Sequence, residues 1–166
     1  FIENKLTFPT PKLNLYYDNN RPFSMHKELP GTSLNNVYSK LNKKQKENIA
    51  QQISSFIHQL QEIDTSNFNV SLDTTSNFLI GLSKVDNQDY DLTKLNPLIE
   101  LEKNNLTLSH ADLNTGNILL DENYNVSGIL DFAFISYTHN LNDISRLIGR
   151  LPDDYYEIMI KAYNKE

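Results

Sequence analysis

Between Lys43 and Ile63 the apolar residues return at every third or fourth position: Ile49, Ile53, Phe56, Ile57, Leu60 and Ile63, with Gln, Ser and Lys between them. That step is the pitch of an α-helix with one buried stripe. It recurs in Leu141, Ile144, Leu147, Ile148 and Leu151, predicting a second amphipathic helix. Tyr155, Tyr156, Ile158, Met159 and Tyr163 predict a last one with an aromatic core stripe, opened by Asp153 and Asp154, acids that suit a positive helix end. Asn96 followed by Pro97 fits a helix start, giving a short helix to about Lys103. Elsewhere the apolar runs are short. Lys12–Tyr17 and Phe23–Leu29 predict two strands joined at Asp18-Asn19-Asn20-Arg21-Pro22, and Leu106–Leu108 predicts another. Ile118–Leu120 and Val126–Leu130, separated by Asp121-Glu122-Asn123-Tyr124-Asn125, predict an antiparallel hairpin.

Breaks in the pattern divide these elements. Phe1–Phe8 reads as the tail of something apolar, ended by Pro9-Thr10-Pro11, and Leu29-Pro30-Gly31 starts a new region. Asp64–Asn77 is a polar loop by composition, Phe78–Leu82 a short helical turn or strand, and Asp86–Asp91 an acidic loop. Phe134–Asn140 reads only as a link to the next helix. The chain has 166 residues, the length of one domain with a real core. The first residue is Phe1 rather than Met, and Glu166 ends a helix-like run without a stop signal, which is how a piece of a longer chain reads.

Composition narrows the function classes. A net charge of −6 argues against a nucleic-acid backbone as partner and mildly favours a cationic small substrate. The absence of Cys excludes disulfide scaffolds, thiolate zinc sites and cysteine nucleophiles, and fits a reducing cytoplasm. No run approaches membrane-span length, so the expectation is a cytoplasmic protein with no membrane partner. Nothing in the composition fixes an oligomeric state.

The chemistry gathers at the second hairpin. A hairpin returns to where it began, so Asn117 before its first strand and Asp131 after its second share one open end, with Asp112 a tight loop away. A carboxylate plus an amide oxygen suits Mg²⁺, which takes hard oxygen ligands and relies on water and substrate phosphates for the rest of its octahedron. A second carboxylate beside it can orient a hydroxyl nucleophile. The spacing matches the phosphoryl-transfer pattern H-x-D-x-x-x-x-N followed by D-F, giving Asp112 the hydroxyl proton and Asn117 and Asp131 the metal. With 22 Asn in the chain, each residue taken singly is more readily a turn or cap former. Jointly, at fixed offsets, the set would arise by chance roughly one time in a thousand.

Those residues carry a family resemblance. His110-Ala111-Asp112-Leu113-Asn114-Thr115-Gly116-Asn117-Ile118-Leu119, then Gly128-Ile129-Leu130-Asp131-Phe132, then Asn142-Asp143-Ile144 closely resembles the aminoglycoside phosphotransferases and their choline kinase and macrolide kinase relatives. The likeness extends upstream through Phe8–Leu13, Phe23–Leu34 and Ile53–Ile63, and is loose over 64–105. It implies an α+β, protein-kinase-like fold: residues 1–30 as the remnant of an N-lobe, two strands and a hinge, and 31–166 as a mostly helical C-lobe with a short active-site hairpin. It implies ATP or GTP as donor and Mg²⁺ as cofactor. Asp112 becomes the catalytic base, Asn117 and Asp131 the metal ligands, Asp143 a brace for the catalytic loop and His110 a loop organiser. Glu28, Leu29 and Gly31 become the hinge meeting the base edge of the nucleotide.

Ala111 stands where the family commonly has Gly or Asn, and Ala133 where Gly, Ser or an acid is usual. The family's Gly-rich phosphate loop, strand Lys and helix Glu are expected before Phe1, and Lys5, Lys12 and Lys27 lie in the wrong strands to replace that Lys. This stretch alone is therefore expected to catalyse poorly, with the activity belonging to a longer parent. A protein kinase would need a long activation segment after Asp131, which the nearby helix leaves no room for. The expected acceptor is a small-molecule hydroxyl, most readily on a cationic aminoglycoside-type antibiotic. Choline, macrolide or sugar acceptors and a non-catalytic, nucleotide-binding module are the alternatives. A metal-assisted hydrolase is disfavoured because His58 and His139 have no fitting spacing.

Overall fold

The computed structural model of the chain describes residues 2, 4–66, 68–74, 93 and 96–165. The segments 78–82 and 86–91, read above as a short element and an acidic loop, lie outside the described residues. Helix α1 (Leu34–Val37) and a 3-10 turn (Tyr38–Lys40) lead into α2 (Lys43–Gln61), the longest helix described. Asn42 sets its start. The Asn42 side chain accepts from the Gln45 amide and Gln45 Oε1 accepts from the Asn42 amide, both at 2.9 Å. This reciprocal box satisfies two otherwise orphaned donors. Ile49, Ile53, Phe56, Ile57 and Leu60 are buried as the periodicity requires. Ile63 is buried too, but just past the end of the helix.

Among the described residues three small sheets accompany the helices. Strands β1 (Asn14–Asp18) and β2 (Arg21–Met25) pair with each other alone among the described residues. Their turn is tighter than expected. Asn19 and Asn20 take φ of +47° and +62°, the left-handed pair of a two-residue hairpin, which Asn tolerates better than most residues. Pro22 therefore belongs to β2, opposite Tyr17, and not to the link. Strand β3 (Thr32–Ser33) pairs with β6 (Ile118–Leu120), and β6 with β7 (Val126–Ile129), all antiparallel. The third sheet places β8 (Ser136–His139) between β5 (Leu106–Ser109), antiparallel to it, and β4 (Ser71–Leu72), parallel to it.

Strands β4 and β8 correct the sequence reading, which placed both in loops. Two residues hold no period to detect in β4. In β8 the alternation is present but inverted, with Ser136 and Thr138 on the buried side and Tyr137 and His139 half-buried. A pattern sought in apolar residues misses it.

Helix α3 (Asn96–Lys103) appears where Asn96-Pro97 predicted it, followed later by α4 (Asn142–Ile148) and α5 (Asp153–Tyr163). Helix α2 packs across α5 and against β5, so one core holds the helices to the strand that feeds the site. Leu141 and Tyr156, expected on buried stripes, are exposed. A single face of α5 takes Tyr155, Met159 and Ala162 inward, which turns Tyr156 outward. Among the described residues no helix is long and apolar enough to cross a membrane.

Tyr155 is fully buried against Tyr38, with ring centroids 5.5 Å apart, and its hydroxyl finds no partner among the described residues. Burial, and secondarily Tyr38, push its pKa far above the ordinary phenol value. A buried hydroxyl without a partner costs stability that a ring lacking it would not. Tyr155→Phe should therefore hold or raise the folding free energy, by up to about 1 kcal/mol in chemical denaturation; a loss above that size would mean the hydroxyl is satisfied.

Candidate active site

Strand β5 ends at Ser109 and β6 begins at Ile118, and the loop between them closes around a buried carboxylate. Asp143, in the first turn of α4 and 1% exposed, accepts from the His110 amide through Oδ2 at 2.8 Å and from the Ala111 amide through Oδ1 at 2.9 Å. Ala111 sits at φ +62°, a left-handed position that costs a Cβ-bearing residue about 1–2 kcal/mol. Two charge-assisted bonds on either side of that peptide offset it.

His110 is buried and engaged at both ring nitrogens. Nε2 lies 2.8 Å from the Leu130 carbonyl, and Nδ1 lies 3.3 Å from the Asp112 amide. A carbonyl only accepts and an amide N–H only donates, so the ring carries its proton on Nε2. The imidazole thus ties the loop to the far strand of the hairpin. Its other contacts are aromatic: Phe132 at 4.6 Å and Phe56 at 6.4 Å between ring centroids.

Asn114 shapes the next turn, its Oδ1 accepting from the Gly116 amide and its Nδ2 donating to the Asp112 carbonyl, both at 2.9 Å. Asn117 Nδ2 donates to the same carbonyl at 3.1 Å, and among the described residues its Oδ1 is the uncommitted end of that amide. The Leu130 amide donates to the Asn117 carbonyl at 2.8 Å, so Asn117 stands opposite Leu130 at the hairpin mouth and Asp131 follows directly after it. Asp131 itself is exposed and left-handed (φ 62°, ψ 66°), and the 3-10 turn Phe132–Phe134 begins after it. Phe132 packs inward while the carboxylate stays at the surface. At the other end of the hairpin Asp121 accepts chiefly from the Asn125 amide and also from that of Asn123, which holds its carboxyl below the usual range.

The donor set can be judged from these atoms. Among the described residues no group of three or more His, Cys, Asp or Glu is placed to hold a metal. One free amide oxygen and one exposed carboxylate, left to share an octahedron with water and substrate oxygens, fit Mg²⁺ and not a protein-caged ion. His58 and His139 lie elsewhere: His58 Nε2 is 3.2 Å from the Tyr163 carbonyl, and His139 Nδ1 accepts from the Leu141 amide at 3.2 Å.

Asp112 stands at a groove of about 460 Å³ that Ser71, Asp73, Ala111, Phe134 and Arg146 also line. Its Oδ1 lies 4.0 Å from Arg146 Nη1 and 3.8 Å from Arg150 Nη1. No motif points to Asp73, Arg146 or Arg150. The only signal for the arginines is scarcity, since the chain has three Arg against twelve Lys.

The hinge segment lies along the same ribbon. Pro9 O accepts from the Ile129 amide at 3.0 Å and Pro30 O accepts from Ser127 Oγ at 2.8 Å. Leu29 covers Gly128, where a Cβ would stand 2.9 Å from Leu29 Cδ1. Gly31 has φ +141°, and a Cβ there would collide with Ser127 Oγ and stand 2.9 Å from the Leu120 carbonyl. Glu28 is exposed just before it. Leu120 is three residues beyond Asn117, so Gly31 lies about 10 Å up the ribbon from the hairpin mouth, at roughly 3.3 Å per residue.

Replacing Asp143 by Asn removes one acceptor and presents an NH₂ group to a buried amide N–H. Asp143→Asn should lose about 2–3 kcal/mol of stability in urea titration, and a loss under 0.5 kcal/mol would show that the loop does not depend on this carboxylate.

The profile of the phosphotransferase enzyme family (APH) matches residues 3–165. No curated protein matches the chain. Among solved structures, a GDP complex of a mutant aminoglycoside 2'-phosphotransferase-IIIa aligns with a TM-score of 0.77 at 17% identity, over 99% of this chain and 62% of that one. The streptomycin-ATP ternary complex of APH(2")-IIa aligns with a TM-score of 0.68 at 21% identity, over 98% of this chain and 62% of that one. The apoenzyme of macrolide 2'-phosphotransferase MphH from Brachybacterium faecium aligns with a TM-score of 0.61 at 13% identity, over 99% of this chain and 60% of that one. The chain thus shares their kinase-like fold and spans about three fifths of their length.

Proposed function

The chain belongs to the phosphotransferase enzyme family, and on that premise we propose that, within a longer parent chain, its site serves transfer of the terminal phosphoryl group of ATP or GTP to a hydroxyl of a small molecule, aminoglycoside-type acceptors first. What supports the reading is that Asn117 Nδ2 bonds the Asp112 carbonyl and the Asn117 carbonyl takes the amide of Leu130, the residue before Asp131, while Asp143 and His110 hold the loop. Asp112 is the general base, Asn117 Oδ1 and the Asp131 carboxylate hold Mg²⁺, and His110 and Asp143 position the loop. Bound there, the ion would neutralise charge on the phosphate oxygens.

In the transfer, the acceptor oxygen forms a bond to the terminal phosphorus as the bond from that phosphorus to the bridging oxygen breaks. The nucleoside diphosphate leaves with the electron pair, and the hydroxyl proton passes to Asp112. Leu29 and Gly31, with Glu28 beside them, receive the base edge through backbone groups, about 10 Å from the metal pair, a spacing a nucleotide can bridge. On this reading residues 1–30 belong with the nucleotide-covering lobe and 31–166 with the lobe that carries the base.

Aminoglycosides come first because the acidic net charge attracts polyamines and two of the similar structures above are of aminoglycoside enzymes. Choline, macrolide and sugar acceptors stand next. The non-catalytic reading is disfavoured by the intact triple of Asp112, Asn117 and Asp131. Helix α4 starts at Asn142, soon after Asp131, so a protein-sized acceptor finds no activation segment.

A panel of aminoglycoside, macrolide, choline and sugar acceptors with radiolabelled ATP or GTP, run on the longer parent chain, tests the reaction, and transfer to none of them refutes it. Asp112→Asn should keep Mg-nucleotide affinity within about threefold while turnover falls about 10²–10⁴-fold; undiminished turnover would remove Asp112 from its role. Asp131→Asn should instead weaken Mg-nucleotide binding by about tenfold or more in calorimetry, and unchanged affinity would place the metal elsewhere.

A further inference from the structure

Two of the three arginines in this lysine-rich chain meet at one carboxylate oxygen. Arg146 lies in the last turn of α4 and Arg150 one helical turn further on. Their side chains are 41% and 52% exposed, and their Nη1 atoms lie 4.0 and 3.8 Å from Asp112 Oδ1. Those distances are too long for hydrogen bonds. Exposed ion pairs of this kind add little to stability, so folding does not account for the convergence. Apart from a long Arg146 Nε contact to Asn142 Oδ1 at 3.4 Å, no short bond among the described residues uses up the two guanidinium forks. A planar fork in place of an ammonium matters where paired oxygens of a phosphate or carboxylate are to be gripped.

We propose that Arg146 and Arg150 form a receiving pair for the phosphoryl group in transit, gripping its equatorial oxygens while Asp112 takes the hydroxyl proton. The inference rests on the phosphotransferase reading and adds to it two residues that no motif marks. Reach is sufficient. A general base lies about 2.6–3.2 Å from the acceptor oxygen, and that oxygen lies about 3–3.5 Å from phosphorus before attack. The equatorial oxygens then fall about 4–6 Å from Asp112, the shell in which both guanidinium groups already stand. Charge in the loose transition state spreads over those oxygens, so two cations fixed beside them stabilise it more than the ground state. Before substrate arrives, the Asp112 carboxylate offsets the repulsion between the two cations.

The test uses Arg146→Gln, Arg150→Gln and the double variant, all exposed changes expected to leave the melting temperature unmoved. Calorimetry with Mg²⁺ and inorganic tripolyphosphate should show about a tenfold or greater loss of affinity in the double variant; equal affinity overturns the proposal. With an aminoglycoside and a macrolide as acceptors, kcat should fall about 10²–10³-fold for both, with KM moving less than about threefold. Guanidinium ion in solution should restore part of the loss. An unchanged kcat overturns the proposal, as does a loss confined to the KM of either acceptor, which would assign the pair to the acceptor. Should the wild type phosphorylate no acceptor, the phosphotransferase reading falls by itself, and the tripolyphosphate measurement still decides whether the arginines receive phosphate oxygens.

Discussion

The site depends on a carboxylate that never reaches solvent. Asp143 takes two consecutive amides, those of His110 and Ala111, and so holds the peptide between them in a conformation that a residue with a Cβ avoids. Three elements are joined by that contact: the end of β5, the start of the loop and the first turn of α4. The same anchor helps bring Arg146 and Arg150 to Asp112, because Arg146 lies in the helix whose first turn holds Asp143 and Arg150 lies just past its end. Position and charge at the groove therefore have one origin.

The second constraint is the hairpin. Antiparallel pairing of β6 with β7 sets Ile118 opposite Ile129, and the residues just outside that pair are Asn117 and Leu130, bonded through the backbone. His110 donates from the loop to the carbonyl of Leu130, whose amide makes the Asn117 bond, so the loop and the strand end are tied together. Pro9, Leu29 and Gly31 fix the incoming chain to β7, where two missing side chains, at Gly31 and Gly128, let it approach closely.

Much of this was legible without coordinates. The stripe of α2, the Asn96-Pro97 start of α3 and both hairpins follow from local period and turn chemistry, and one hairpin is enough to set Asn117 and Asp131 at the same end of the ribbon. What stayed hidden was non-local. Strand β8 buries Ser136 and Thr138 and offers no apolar alternation, and β4 is two residues long and exists only because β8 is there to pair with. The left-handed Asn19-Asn20 pair shortened a link that composition alone made longer. Arg146 and Arg150 could not be placed beside Asp112 from spacing, because their approach depends on how α4 docks, which the Asp143 bonds decide.

The ribbon of β1 and β2 has a consequence for handling the molecule. Leu13, Leu15 and Tyr17 lie along one side and Tyr16, Phe23 and Met25 along the other, all well exposed, and neither strand has a second neighbour among the described residues. An oily two-strand tape with both borders open is a template for intermolecular β-pairing. Concentrated samples of this chain will tend to stick through that tape, and charged substitutions at Leu15 or Tyr17 offer a route to better-behaved material without touching the groove.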